Sequence, residues 1–282
     1  MVRFIAMLVG IAFAGVLAIA LFGSISGVIT EPPPPTAEHE FHLHPKDLKL
    51  ASDGPLGKFD MRQVQRGMQV YKEVCSACHS LRLVSFRDIG DMGYSDGQIK
   101  AFAGSYDNIP SINPDTGEAA TRKGVPSDRF PSPFANEVAA RAANNNALPP
   151  DLSLMAKARH EGPAYIYSLL TGYQKQPADL LKHFPDAKTP EGLHYNPYFP
   201  NLNLAMAPPL TAEGQVTYGD GTKSTVDQMA KDVAAFLTWT AEPKLENRHR
   251  AGWATIFFLL IATTLAYMSY QNIWAEKKKA KV

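Results

Sequence analysis

The stretch Val74-Cys75-Ser76-Ala77-Cys78-His79-Ser80 contains both cysteines of the 282-residue chain, and it decides what kind of domain surrounds it. A Cys-x-x-Cys pair followed directly by histidine is the attachment signature of a c-type haem. Each thiol can form a thioether with one haem vinyl group, and the two-residue spacing presents both sulfurs along one edge of the macrocycle. His79 is then placed to bind the iron as its proximal ligand. The motif predicts one covalently bound haem c, held by Cys75, Cys78 and His79.

Other interpretations of the cysteine pair fit the sequence less well. A structural zinc site needs about four ligands, and no second Cys/His pair lies at a suitable spacing. A thioredoxin-like redox motif is expected within a βαβ unit, and no such pattern surrounds this one. Two buried cysteines beside a chance histidine are the remaining alternative.

The composition is that of a globular protein with apolar segments at both ends. The formal net charge is +1, and this near-neutral balance gives no indication of nucleic-acid binding. Residues 31–250 carry 23 basic and 26 acidic side chains, a net charge of −3 that haem propionates would make more negative. A mildly acidic domain suits a basic partner. Because haem attachment takes both cysteines, no disulfide is available, and in bacteria c-type attachment is extracytoplasmic chemistry.

An apolar run without charged residues, Phe4–Thr30, follows Arg3 at the start of the chain. The core of a signal peptide is typically ~7–15 residues long, whereas a membrane span needs ~20. No convincing Ala-x-Ala cleavage site is present. We therefore expect residues 1–30 to form a retained signal anchor, with a cleaved signal peptide as the alternative.

Residues 31–56 are predicted to form a linker rich in proline and histidine. The run Glu31-Pro32-Pro33-Pro34-Pro35 predicts a stiff polyproline spacer. Three histidines follow it, and neutral imidazoles can bind metal ions. We prefer a solvated linker to a surface zinc or copper site at these histidines, which are His39, His42 and His44.

The apolar spacing between residues 57 and 250 predicts a mostly α-helical haem domain without a sustained strand pattern. The first helix begins at Asp60, which resembles a capping box with Gln63, and it leads directly into the haem motif. The last begins at Thr225 and ends before Pro243. Shorter helices are predicted at Ser95–Phe102, Glu137–Ala143, Ser153–Arg159 and Ala164–Leu170.

A second charge-free run, Ala251–Ala275, predicts a C-terminal transmembrane helix. Trp253 and Trp274 bracket it, and their separation corresponds to ~31 Å at 1.5 Å per residue. That length matches the ~30 Å hydrocarbon thickness, with an aromatic residue at each interface. Residues 276–282 then form a basic tail. The positive-inside rule predicts a cytoplasmic C-terminus and a haem domain outside the membrane.

Function depends on the second axial position of the iron. An open position would permit gas binding or peroxide reduction, whereas a strong ligand leaves electron transfer. Met206 lies in a proline-stiffened loop, and a thioether is a soft ligand that raises the haem potential. A rigid loop holds such a weak ligand without further ordering cost. We therefore expect Met206 to be a ligand rather than a core filler; the less favoured candidates are His160, His183 and His194.

Several further segments resemble the cytochrome c1 family, the haem subunits of cytochrome bc1 complexes. Together they extend from about Gly57 to the C-terminus, and jointly they are far more specific than the haem motif. They are Ala142-Ala143-Asn144-Asn145, Ala147-Leu148-Pro149-Pro150-Asp151-Leu152-Ser153, Tyr167-Ser168-Leu169-Leu170-Thr171-Gly172-Tyr173, Asn196-Pro197-Tyr198-Phe199, Met206-Ala207-Pro208-Pro209, Asp232-Val233 and Ala241-Glu242-Pro243.

This resemblance implies a mostly α-helical, class I cytochrome c-like haem domain on a C-terminal transmembrane helix, with His79 and Met206 as the axial ligands. The first and last soluble helices of the family cross closely, which suits Gly67 and Tyr71 facing Phe236 and Trp239. Members usually lose the N-terminal signal, so a retained span would be a departure. A second departure is the stretch Pro177–Thr189, which resembles a family-variable insertion and is assigned no role.

The resemblance also implies how four residues surround the haem. Arg159 would neutralise a haem propionate and Tyr165 would lie close to the haem. Pro150 would line the pocket and Asn144 would lie nearby. The sequence does not choose between this role for Arg159 and an exposed helix cation, and Arg141 competes for the propionate.

The implied function is electron transfer by a protein of the bacterial inner membrane, with its haem in the periplasm. The chain would take electrons from the Rieske iron–sulfur subunit, beside cytochrome b in a dimeric bc1 complex, and pass them to a cytochrome c. Enzymatic activity then belongs to the quinol–cytochrome c reductase complex, and no residue of this chain is catalytic. The alternatives are a membrane-tethered cytochrome c that donates directly to a terminal oxidase, and a haem peroxidase or gas-binding sensor.

Overall fold

The structure is a computed structural model that describes residues 2–30 and 34–279, with side chains as far as Ala275. The described part is mostly α-helical, as the sequence predicts. Its helices are α1 (Val2–Thr30), α2 (Ala37–Phe41), α3 (Met61–Glu73), α4 (Asp96–Gly104), α5 (Glu137–Ala143), α6 (Met155–Ala158), α7 (Gly162–Thr171), α8 (Ala178–His183), α9 (Val226–Ala241) and α10 (Leu245–Lys279). Short 3-10 turns lie at Cys75–Ala77, Phe86–Met92 and Pro185–Ala187.

Two small antiparallel sheets are present, although the sequence shows no sustained strand pattern. Strand β1 (Ile109–Ile112) pairs with β2 (Ala119–Arg122), and β3 (His194–Tyr195) pairs with β4 (Asn203–Leu204). Strands of four and two residues are too short to produce a recognisable alternation in the sequence. The β3–β4 pair closes the loop that immediately precedes Met206.

The chain forms two compact units, and the first contains residues up to His42 together with Pro177–Lys188. In this unit α1 is long and apolar enough to cross a membrane, a test that a signal sequence also passes. The rings of Phe41 and Phe184 meet edge to face with centroids 6.3 Å apart. The insertion to which the sequence assigns no role therefore packs against α2. Residues Glu31–Pro33 of the predicted polyproline spacer lie outside the described residues.

The second unit contains Leu43–Gln176 and the chain from Thr189 onward. It begins inside the predicted linker, because Lys46 is fastened to α7. The Lys46 N–H donates to Ser168 Oγ at 2.7 Å, and its ammonium donates to Thr171 Oγ1 at 2.8 Å. The second half of the predicted linker is thus a part of the haem-domain unit.

Helices α3 and α9 cross in the core of this unit, as the family resemblance implies. A Cβ at Gly67 would collide with the carbonyl oxygen of Asp232 and lie 2.7 Å from the Cβ of Phe236. The rings of Tyr71 and Phe236 have centroids 5.8 Å apart, and Phe236 stacks on Trp239 at 6.2 Å. Glycine at position 67 is what permits the two backbones to approach this closely.

Helix α10 begins six residues before the predicted span, and its first turns are attached to the haem domain. Glu246 accepts the N–H of Phe59 at 3.1 Å, and Trp253 Nε1 donates to the carbonyl of Pro55 at 3.1 Å. No residue in the apolar window of this helix is buried, and the helix is long enough to cross a membrane. Of the basic tail, the lysine side chains and residues 280–282 lie outside the described part of the chain.

Candidate haem site

The cysteine motif lies on a single tight turn at the end of α3. The N–H groups of Cys78 and His79 both donate to the carbonyl of Cys75, at 3.1 and 2.9 Å. This turn presents two thiols and one imidazole within five residues, and both thiols are free. Burial, followed by the neighbouring Cys78, raises the pKa of the Cys75 thiol to about 12.

His79 is held at its imidazole and at its backbone. Its Nδ1 lies 2.8 Å from the carbonyl oxygen of Pro150, and because a carbonyl can only accept, Nδ1 carries the proton. Nε2 is therefore left with the lone pair that binds a metal. Burial lowers the pKa of this imidazole, with Pro150 and Asp151 acting in the opposite direction. The backbone is held as well, since Tyr71 Oη donates to the carbonyl of His79 at 2.9 Å.

Asp151 ties the segment that carries Pro150 to the haem motif, a role that sequence reasoning missed. One oxygen of its carboxylate accepts from Ser80 Oγ at 2.7 Å and from the N–H of Arg82 at 2.8 Å, and the other accepts from the N–H of Ser153 at 2.9 Å. Burial opposes the ionisation of Asp151, but these donors lower its pKa overall. The only signal in the sequence was the presence of Asp151 in a family-like segment.

A cavity of about 270 Å³ lies beside the motif. Cys78 and Pro150 both line it, as do residues of α5 such as Ala140. Asn144 is not among its lining residues. Instead its Nδ2 donates to the carbonyl of Ala140 at 2.7 Å, so that it holds the C-terminal end of the helix that forms one wall.

Met206 is half-buried and is attached to the end of α7. Its carbonyl oxygen accepts a hydrogen bond from Tyr173 Oη at 3.0 Å. The ring of Tyr173 meets the imidazole of His194 edge to face, with centroids 6.5 Å apart. Burial, followed by the nearby Tyr165, raises the pKa of the Tyr173 hydroxyl, which therefore stays protonated as a donor.

Arg159 and Tyr165, which the resemblance places near the haem, lie close enough to interact electrostatically. Burial raises the pKa of the Tyr165 hydroxyl, and the Arg159 guanidinium partly opposes this shift. The competing Arg141 donates instead to the carbonyl of Asn146 at 3.1 Å, so that it braces the turn after α5. Arg159 is exposed just after α6, and its Nη1 donates to the carbonyl of Ala158 at 3.0 Å, so that its role at a haem propionate stays a prediction.

The other histidines have separate locations. Among the described residues, no group of three or more His, Cys, Asp or Glu side chains is arranged to hold a metal ion, so the His39, His42 and His44 segment shows no such site. His183 lies in α8 of the first unit, and His160 is exposed just before α7.

The residues fit a haem c by the chemistry of their donors. Two thiols suit thioether formation, an imidazole with a free Nε2 suits a proximal ligand, and a thioether on a braced loop suits the opposite position. The sequence predicts these four residues as the haem-binding set. The groups that hold them, Tyr71, Asp151 and Tyr173, became recognisable only in the structure.

Comparison with known proteins agrees with this chemistry. The Cytochrome C1 family matches residues 50–277. Cytochrome c1 of Rhodospirillum rubrum is 43% identical over 250 residues, which cover 84% of this chain and 89% of that protein. The mitochondrial heme protein cytochrome c1 1 of Arabidopsis thaliana is 42% identical over 271 residues, or 95% of this chain and 85% of its own. Cytochrome b/c1 of Bradyrhizobium diazoefficiens is 46% identical over 247 residues, which cover 82% of this chain but 36% of that protein.

Proposed function

The chain belongs to the cytochrome c1 family, the haem subunits of cytochrome bc1 complexes, and from this premise we propose that it binds one haem c covalently and transfers single electrons. Cys75 and Cys78 would form the thioethers, and His79 and Met206 would be the axial ligands. When bound, the haem supplies a one-electron iron couple. The observation that carries the proposal is the hydrogen bond from His79 Nδ1 to the carbonyl of Pro150, because it leaves Nε2 with the lone pair that would bind iron.

The chain's own residues then have distinct tasks. Pro150 keeps His79 in one tautomer and one orientation, and Asp151 keeps Pro150 in register with the motif. Met206 would hold the iron together with His79 and so would exclude small ligands. Arg159 would neutralise a haem propionate, assisted by Tyr165, and Asn144 would fix the α5 wall of the pocket. Burial and the thioether ligand raise the reduction potential.

The partners follow from the family. The chain would receive electrons from a Rieske iron–sulfur subunit and deliver them to a cytochrome c, within a dimeric complex that contains cytochrome b. One relative supports the association with cytochrome b, because its name is cytochrome b/c1 and the matching part is only 36% of its length. Copurification from detergent tests this: we expect cytochrome b and an iron–sulfur protein to accompany the chain. Isolation as a lone cytochrome would instead favour direct donation to a terminal oxidase.

We further propose that α10, with its basic tail, crosses a bacterial inner membrane and leaves the haem domain in the periplasm. The length and apolarity of α10 support the span, and the lysines after Ala275 support the orientation. A C-terminal affinity tag should be cleaved by protease in inside-out vesicles and be protected in spheroplasts. The reverse pattern would contradict the orientation.

Met206→Leu tests the axial ligand. In the reduced full-length holoprotein we expect this variant to bind carbon monoxide and the parent to exclude it, because leucine has no atom that ligates iron. Met229→Leu is the matched control, since Met229 is fully buried in α9 and is explained by packing. Carbon monoxide binding by the parent would refute a six-coordinate electron carrier. Intact-mass spectrometry of the same sample would report one covalent haem and the processing of the N-terminus.

A further inference from the structure

We propose that Tyr173 is a positioning residue for Met206, and that its hydroxyl controls how firmly the methionine stays on the iron. The proposal rests on the proposed ligation by Met206. It starts from a symmetry in the contacts: a tyrosine hydroxyl holds the main-chain carbonyl of each axial residue. Tyr71 Oη binds the carbonyl of His79 at 2.9 Å, and Tyr173 Oη binds that of Met206 at 3.0 Å.

The position of Tyr173 is set by the end of α7. This helix ends at Thr171, and the following Gly172 packs against the loop that leads to Met206. A Cβ at position 172 would collide with the ring of Tyr198 and lie 2.6 Å from the carbonyl oxygen of Ser168. Because any side chain there would displace the Tyr198 ring, glycine lets the end of α7, with Tyr173 directly after it, lie close to the loop that carries Met206.

The loop that carries Met206 is hydrogen-bonded at two points, once to α7 and once to Tyr173 just beyond its end. At its start, Asn196 is fully buried and its Nδ2 donates to the carbonyl of Leu169 at 2.8 Å. Ten residues later, Tyr173 makes the second tie at Met206 itself. The first tie fixes the entry of the loop, whereas the second acts on the residue that must stay within bonding distance of the iron.

A weak ligand is sensitive to this second tie. The bond from iron to a neutral thioether is weak, so its occupancy depends on how much freedom the loop gains when the sulfur leaves. Removing one hydroxyl removes a net hydrogen bond, which corresponds to roughly a two- to tenfold change in an equilibrium constant. We expect Tyr173→Phe to shift the balance between ligated and detached Met206 by that factor.

Imidazole is the probe, because it binds ferric iron only when Met206 has detached. In the full-length ferric holoprotein, Tyr173→Phe should bind imidazole roughly two- to tenfold more tightly than the parent. Tyr167→Phe is the matched control: Tyr167 lies in α7, six residues before Tyr173, and the variant loses the 2.6 Å hydrogen bond from its hydroxyl to Asp227 Oδ1. This control should lower the unfolding temperature and leave the imidazole affinity unchanged.

Three outcomes would overturn the proposal. Tyr173→Phe could bind imidazole with the affinity of the parent. Alternatively, Tyr167→Phe could increase the imidazole affinity as much as Tyr173→Phe does. The third outcome is an equal increase in Tyr71→Phe, whose hydroxyl contacts the other ligand, His79. The absorption band of methionine-ligated ferric haem in the parent distinguishes a failure of this proposal from a failure of the proposed function. If the parent lacks that band, the ligation by Met206 is wrong, whatever Tyr173 does.

Discussion

Replacing Gly67 by alanine tests whether the crossing of α3 and α9 limits the stability of the haem domain. The added Cβ would collide with the Asp232 carbonyl oxygen, lie 2.6 Å from the carbonyl carbon and lie 2.7 Å from the Cβ of Phe236. Carbon atoms in contact prefer about 3.5–4.0 Å, so the crossing would have to open by roughly 1 Å. The atoms hit are backbone and Cβ atoms, which no rotamer change can move away.

The two competing effects of this substitution have opposite signs. Alanine in a helix interior gains roughly 0.5–1 kcal/mol over glycine, whereas overpacking a core costs about 1–3 kcal/mol. Because the clash is with a backbone, we expect the upper part of that range to apply and a net loss of about 2 kcal/mol. For a domain of this size, that loss lowers the unfolding temperature by ~4–8 °C.

Thermal unfolding of the detergent-solubilised holoprotein, followed by tryptophan fluorescence, measures the effect. Trp239 is 1% exposed and stacks on Phe236 at the crossing, so it reports on the altered region. Gly97→Ala in α4 is the matched control, because a Cβ there meets nothing within 4 Å and should stabilise the helix slightly. An unfolding temperature of Gly67→Ala at or above that of the parent would refute the close-approach argument.

Two further substitutions test the buried charges of the haem domain. Asp151→Asn should lower the free energy of unfolding by about 1–3 kcal/mol at neutral pH, because the amide NH2 group would face the N–H and O–H donors that the carboxylate accepts from. The pKa of Asp151 is lowered in the folded state. Its contribution to stability is therefore complete above the ordinary pKa near ~3.9 and is lost as the pH falls through the folded pKa. Unfolding temperatures of parent and variant should therefore converge in acid, and a gap independent of pH would contradict this. Arg66→Met should lower the free energy of unfolding by about 3–5 kcal/mol in chemical denaturation, because the fully buried Asp232 loses its cationic partner at 2.9 Å and keeps only neutral donors such as Gln228. Lys231→Met is the control, because it breaks an exposed ion pair with Asp227 in α9, the helix that also carries Asp232. It should lower the free energy of unfolding by less than about 1 kcal/mol. Equal losses in the two variants would argue against a special role for the buried pair.

Local patterns predicted the helices well. The helix predicted at Glu137–Ala143 is present with the same bounds, and the Asp60 and Thr225 side chains cap α3 and α9 as expected. Caps and helical spacing involve residues three or four apart, so the sequence carries them directly. The sequence did not predict that the haem-domain unit starts at Leu43, because no pattern near Lys46 indicates its contact with α7.

By itself, the sequence determined the chemistry of this protein: two thiols and an imidazole on one turn, a methionine on a proline-braced loop, and a run long enough to cross a membrane. These properties depend on residue type and short spacing. Only the tertiary structure decided what holds the ligands, since Pro150 is 71 residues from His79 and Tyr173 is 33 residues from Met206. Such contacts arise from packing of distant segments, and no local spacing in the chain encodes them.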